Sequence, residues 1–131
     1  MIVIRALDGT EVHADENAVI LVAGADVAAA HTIVHGIDRG ALMTSEEPAA
    51  LAARLPIAMP LAQLTRPDAT PVWIKGSAVI ALRAPLATER PSPGAANAVV
   101  ILGGPLGALH QAVQEDVATA ERVLNAHGAN V

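Results

Sequence analysis

The feature of this sequence that most limits the possible folds is an internal repeat. Residues 4–22 and 64–82 align without a gap at an offset of 60. Identical residues occupy the paired positions Asp8/Asp68, Thr10/Thr70, Val12/Val72, Ala18/Ala78, Val19/Val79 and Ile20/Ile80. A repeat of this length is typical of duplicated supersecondary units whose apolar faces cover each other. We therefore predict two tandem units packed as a single body around a pseudo-twofold axis.

The composition indicates a core built from small and aliphatic side chains. Hydrophobic residues make up 53% of the 131 residues, yet the chain has no Phe or Tyr and a single Trp. The mean hydropathy is +0.45. A chain of this length leaves a large fraction of its surface exposed even when folded. We therefore expect part of the apolar surface to face another subunit or a partner.

Charge and cysteine content exclude several classes of function. The net charge is −5 and the eight Lys and Arg residues are scattered, so we expect no nucleic-acid partner. Cysteine is absent, which excludes disulfides and thiolate chemistry. The N-terminus lacks the pattern of a signal peptide, and proline and glycine interrupt the uncharged stretch 91–114, so we predict no membrane span. A cytoplasmic or virion location is the resulting expectation.

Two hairpins are predicted at the start of the repeats. Asp8-Gly9 lies between the apolar runs 2–6 and 11–14, and glycine accepts the positive φ of a tight hairpin turn. The second copy has Pro67 and Ala69 in the corresponding turn. Proline there suits a type I turn, so we expect the second hairpin to be wider or bulged. The apolar runs 18–23 and 78–82 are predicted to be buried strands.

Residues 26–36 allow two interpretations. A helix could begin at Asp26 as N-cap and end before Gly36. The matching stretch 97–102 of the second copy is rich in β-branched residues and is followed by two glycines. We therefore favour a strand at about 30–35 over the helix.

Each copy is predicted to end in a helix. The first would span 45–55 with Ser45 as N-cap, and the second would span 115–126. The fold class is therefore mainly β with one helix per repeat (α+β), as two tandem β-β-β-β-α units. Repeat 1 covers 1–57 and repeat 2 covers 58–131, which contains a Pro-rich loop at 84–96.

No residue set in the sequence indicates catalysis. The carboxylates Glu46, Glu47, Glu115 and Asp116 stand at predicted helix starts, where they stabilise the positive end of the helix dipole. His31 and His35 are weak metal candidates: on a helix they could chelate one ion, but on a strand they stand about 13 Å apart. We therefore predict no catalytic residues, no metal site and no cofactor, and no enzymatic activity.

Trp73 is the most prominent candidate for an interaction site. It replaces His13 of the first copy and lies between Val72 and Ile74 in a predicted strand. Alternation sends Trp73 to the opposite face from its two neighbours. A lone large aromatic side chain on a surface of small residues is a candidate interaction anchor, although the other repeat could also cover it. We predict an interaction site at Trp73, Val72 and Ile74.

The second copy resembles the small flagellar and swarming motility protein family. The similarity is carried by residues 64–82, by the apolar strand and glycine that follow, and by the segment 113–117. The first copy resembles it more weakly through Asp8-Gly9, Asn17 and Gly36. Members of this family are short modules of hairpins plus a helix, and the resemblance implies a similar fold and no catalytic residues.

These observations predict a non-enzymatic structural or interaction protein that self-associates or docks into a larger assembly. The resemblance implies a flagellum-associated role. The alternatives are a phage virion component, such as a capsid-decorating or connector protein, and a small-molecule or metal-binding module. The expected partner is the protein itself, as a homo-oligomer, or a larger protein assembly.

Overall fold

The computed structural model describes residues 1–27, 30–37, 41–55, 60–89, 96–104 and 107–131. These residues form ten strands, and each group of five is followed by a helix. The first group is β1 Ile2–Arg5, β2 Glu11–Ala14, β3 Leu21–Val27, β4 Ala30–His35, β5 Leu42–Thr44 and α1 Pro48–Arg54. The second group is β6 Ala62–Thr65, β7 Pro71–Ile74, β8 Val79–Arg83, β9 Ala98–Gly104, β10 Gly107–Val113 and α2 Val117–Asn125. The mainly β, α+β fold class is confirmed.

The predicted count of four strands before each helix is wrong. A fifth strand pairs with the strand before it in each half: β5 has three residues, and β10 has seven. The strand interpretation of residues 30–35 is confirmed, because β4 spans Ala30–His35 and pairs antiparallel with β3. The boundary predicted between residues 57 and 58 lies outside the described residues, as do residues 90–95 of the Pro-rich loop.

The strands form three antiparallel sheets. The largest has the order β5-β4-β3-β7-β6, so it contains strands from both halves of the chain. The other two are the hairpin β1-β2 and the three-stranded sheet β10-β9-β8. Because β3 pairs with β7, the two halves share one hydrogen-bonded sheet.

The two starting hairpins have the same register and the same turn. Ile2 lies opposite Ala14 in the first, and Ala62 lies opposite Ile74 in the second, 60 residues further on. Gly9 has a φ of 90°, and Ala69 has a φ of 72° at the corresponding position. The second hairpin is therefore not wider than the first. The bulge expected for it is present, and it occurs in both hairpins, because each three-residue loop ends in a residue of positive φ.

Side-chain hydrogen bonds explain why alanine adopts this turn. Asp68 Oδ1 accepts a bond of 3.0 Å from the Thr70 amide, and Asp8 Oδ1 accepts one of 2.9 Å from the Thr10 amide. These bonds hold the turn in both copies, although a non-glycine residue in this region costs about 1–2 kcal/mol. The Thr10 amide is the main cause of the lowered pKa of Asp8, whereas the Thr70 hydroxyl, followed by the Thr70 amide, lowers the pKa of Asp68.

The helices begin later than predicted. α1 begins at Pro48, its N-cap is Glu47, and Glu47 makes no side-chain capping bond, so Ser45 is not the N-cap. The residue before a proline avoids the helical region, which keeps Glu47 extended and moves the start to Pro48. α2 begins at Val117 and is capped by Asp116, which accepts a bond of 2.7 Å from the Thr119 amide.

The interior is divided into two apolar clusters. We name them the N-terminal and C-terminal cores after the half that contributes most of the residues to each. The N-terminal core consists of Ile2, Ile4, Ala14, Val19, Val22, Val34, Leu51, Leu55 and Leu61. The C-terminal core consists of Ile20, Leu21, Ala23, Ala62, Leu64, Val72, Ile74, Val79, Ala98, Val100, Leu102, Val113, Ala120 and Leu124. The alternation of β3 therefore sends Val22 into its own half and Leu21 into the other half.

Candidate functional site

Trp73 lies between the two halves of the chain. Its neighbours Val72 and Ile74 are fully buried in the C-terminal core. Trp73 points the other way, is half-buried, and packs against the N-terminal core. Of the three residues of the predicted interaction site, Trp73 therefore has a side chain at the surface, and Val72 and Ile74 do not.

The open side of Trp73 lines a shallow cleft of about 310 Å³. Its other lining residues are small or aliphatic and come from α1 and the segment before β6: Ala49, Ala52, Ala53, Leu55, Pro60 and Leu61. The described residues that line this cleft have no ionisable side chain. They form an apolar contact surface.

The two candidate metal ligands lie on β4 in different surroundings. His31 is exposed, and its Nδ1 lies 3.5 Å from Glu47 Oε1. His35 is half-buried, and burial lowers its pKa. Among the described residues, no three His, Cys, Asp or Glu side chains come together in a way that could hold a metal ion.

His35 lines a second, smaller cleft, of about 200 Å³, between the large sheet and β10. Arg66 also lines it and donates a bond of 2.9 Å to the Gly24 carbonyl. Gln111 contributes from β10, and the remaining lining residues are Leu21, Ala23, Gly24, Ala25, Ile33 and Met43. This volume is below the usual range of small-molecule sites, about 300–1,000 Å³.

The carboxylates at the helix starts make structural contacts. Glu46 pairs with Arg54, with oxygen-to-nitrogen distances of 2.6 and 2.8 Å. Glu115 accepts a bond of 2.9 Å from the Thr65 amide, and Asp116 caps α2. The hydrogen bond from the Thr119 amide lowers the pKa of Asp116. Only Asp116 acts at a helix start as predicted, because Glu46 and Glu115 make other contacts and Glu47 makes no capping bond.

The outer strands leave an apolar residue exposed that the sequence analysis did not select. Among the described strands, β8 pairs with β9 alone, and no described strand lies along its other edge at Ile80. Ile80, in β8, is 63% exposed, whereas Ile20 at the matching position of the repeat is 8% exposed. The identity of Ile20 and Ile80 in the repeat was the signal that could have identified this position.

The edge of β2 is open in the same way. Among the described strands, β2 pairs with β1 alone. A cleft of about 310 Å³ adjoins it, lined by Val12, His13, Ala14, Asp15, Ala18, Ile37 and Leu42. An open strand edge presents unpaired backbone donors and acceptors and can pair with another chain.

Neither described helix has the length and apolarity needed to cross a membrane. Comparisons with protein-family models, with curated proteins and with solved structures found no match to this chain. The resemblance to the flagellar and swarming motility proteins therefore stays a prediction.

Proposed function

We propose that the protein is a non-enzymatic structural component that self-associates into a larger assembly. The observation that supports this most directly is the open edge of β8 with Ile80 63% exposed on it. A strand edge with an exposed aliphatic residue is an aggregation hazard unless a specific partner covers it. Assembly with a partner removes that hazard and buries the apolar surface.

The polar groups support the same proposal. The described carboxylates with lowered pKa values have structural contacts. Asp8 and Asp68 hold turns, and Asp116 caps a helix. Glu16 forms an ion pair with the N-terminus. A catalytic site would instead bring groups of perturbed pKa together in a cleft. His35 is the one described titratable group with a shifted pKa that lines a cleft described above.

Sedimentation velocity across the micromolar concentration range tests this proposal. We expect the wild-type protein to sediment as species larger than 13.3 kDa, with a distribution that shifts with concentration. A single 13.3 kDa species at every concentration, with the protein folded, would contradict self-association.

Trp73 is proposed as a further contact in this assembly. Its cleft is apolar and open, and truncating an interface anchor typically costs about 2 kcal/mol or more of binding free energy. We expect Trp73→Ala to weaken assembly more than it lowers the free energy of unfolding. Gln63→Ala is the matched control, because Gln63 lies opposite Trp73 on β6 and is exposed. Equal losses in assembly and in folding would assign Trp73 to the interior alone.

A small-molecule-binding module is the second candidate, and the cleft at His35 favours it. The cleft combines an apolar lining with Arg66 and Gln111, which could orient a small anion. Thermal shift measurements with small carboxylates would test this candidate. A shift in melting temperature that disappears in Arg66→Ala would support binding, and the absence of a shift would contradict it.

The flagellar and virion contexts both call for a self-associating structural protein. Each context stays a proposal, and the sedimentation experiment is the first requirement for either.

A further inference from the structure

The contact between the two halves of the chain shows how one repeat joins the next. β3 of the first half lies beside β7 of the second, with Leu21 opposite Ile74. The Lys75 amide donates a bond of 2.9 Å to the Ile20 carbonyl. Ile20 and Leu21 enter the C-terminal core, so the first half completes the interior of the second.

β8 is built and oriented like β3 but has no such neighbour among the described strands. Val79 and Leu82 pack against the C-terminal core, as Val19 and Val22 do in the N-terminal core. Ile80 is therefore the counterpart of Ile20, which enters the core of the other half. Because no described strand lies beside it, Ile80 is exposed where its counterpart is buried.

β2 is likewise the counterpart of β7. Ala14 lies in the N-terminal core as Ile74 lies in the C-terminal core, and the hairpin registers agree at an offset of 60. β7 is covered by β3, whereas the corresponding edge of β2 adjoins the open cleft lined by Val12 and Ala14. The edges of β8 and β2 therefore correspond to the two strand edges that pair in the contact between β3 and β7.

We propose that β8 of one copy pairs antiparallel with β2 of a second copy and repeats the joint between the two halves. This inference rests on the proposed self-association and adds its geometry. The intrachain register, moved by 60 residues, places Ala81 opposite Ala14 and Leu82 opposite His13. The Asp15 amide of one copy then donates to the Ile80 carbonyl of the other, as Lys75 does to Ile20.

The proposed joint is head-to-tail, because it uses two different edges. A heterologous contact of this kind builds a closed ring when the rotation between copies closes, and otherwise a filament. Apolar packing adds to the strand pairing, since Ile80 enters the cleft beside Ala14 as Ile20 enters the C-terminal core. Backbone pairing supplies affinity in such strand addition, and the side-chain pockets supply specificity.

Cysteine cross-linking tests the register, and the cysteine-free chain makes every introduced thiol unambiguous. Residues 20 and 75 form a hydrogen-bonded pair, so the next pair, residues 21 and 74, is a non-hydrogen-bonded pair, in which the side chains lie closer together. Residues 81 and 14 of two copies would form the corresponding pair. Ala14→Cys and Ala81→Cys chains are mixed and oxidised mildly, and covalent dimers are measured on a non-reducing gel. A double variant, Leu21→Cys with Ile74→Cys, reports the same geometry within one chain.

We expect the mixture of the two single variants to form covalent dimers, at a rate comparable with the intrachain control. Mixing Ala14→Cys with Leu82→Cys should be at least about tenfold slower, because Val22, the counterpart of Leu82, points to the opposite face from Leu21, the counterpart of Ala81. Cross-linking of Ala81→Cys with itself at a higher rate would show a symmetric pairing of two β8 edges and overturn the proposal.

A charge on the open edge provides a second measurement. Ile80→Lys should leave the chain folded, because Ile80 is 63% exposed, and should raise the dissociation constant of the assembly at least about tenfold. Leu86→Lys is the matched control, since Leu86 is 59% exposed in the same half. If the wild type assembles but Ala14→Cys and Ala81→Cys do not cross-link, the proposed strand pairing is wrong and self-association is still supported. A monomeric wild type would overturn both.

Discussion

Exchanging the residues of the two equivalent turns tests the hairpin geometry most sharply. Gly9 and Ala69 both have positive φ values, 90° and 72°. A Cβ built at Gly9 would meet no atom within 4 Å, so a substitution there changes backbone conformation and creates no clash. The difference between glycine and alanine at these two sites is therefore a backbone effect.

The expected changes have opposite signs. A left-handed conformation costs a non-glycine residue about 1–2 kcal/mol. Glycine loses more conformational entropy on folding, which offsets about 0.5–1 kcal/mol of that cost. We therefore expect Ala69→Gly to raise the free energy of unfolding by about 0.5–1 kcal/mol, and Gly9→Ala to lower it by a similar amount.

Equilibrium urea unfolding followed by Trp73 fluorescence measures both changes. Ala53→Gly is the control, because Ala53 is an exposed helical residue and glycine there should lower the free energy of unfolding by about 1 kcal/mol. If Ala69→Gly destabilises the protein as Ala53→Gly does, the left-handed backbone at Ala69 is wrong.

Three further changes have defined outcomes in the same unfolding assay. Gly76→Ala should lose about 1–3 kcal/mol, because its Cβ would lie 2.2 Å from the His127 carbonyl oxygen; a neutral result would contradict that close approach. Burial lowers the pKa of His35, so unfolded chains take up the proton first, and stability should fall as pH drops through about 6.5 and level off below the folded pKa. The free energy of unfolding of His35→Gln should fall less over the same pH range. An equal fall would show that burial of His35 is not the cause. Asp116→Ala should cost about 1 kcal/mol through the lost cap, whereas Glu47→Ala, at a cap without a side-chain bond, should be near neutral; equal costs would count against the capping bond.

Local patterns predicted the strands well. The β-branched residues of the matching stretch 97–102 predicted the strand β4, and the repeat identified matching hairpins at 7–10 and 67–70. The second turn shows the limit of such patterns. Two Asp68 hydrogen bonds to Thr70 compensate for an unfavourable alanine, and residue preferences alone do not include that compensation.

The candidate site was predictable only in part. Sequence alternation correctly separated Trp73 from Val72 and Ile74. It did not predict that the neighbours of Trp73 lie in one core while Trp73 packs against the other, because that depends on which strand lies beside β7. The exposed Ile80 was missed for the same reason, since its repeat partner Ile20 is buried by an inter-half contact.

The sequence by itself determined where the hairpin turns lie and that residues 4–22 and 64–82 repeat, because these depend on short-range backbone preferences and on residue spacing. It did not determine the number of strands before each helix. Only the tertiary structure decided that β3 joins β7 across the two halves, with Leu21 opposite Ile74. Partners that lie 53 residues apart along the chain are selected by sheet register and by the burial of apolar side chains between elements. The same physics leaves β2 and β8 among the edge strands of the three sheets in the part of the chain that the structure describes.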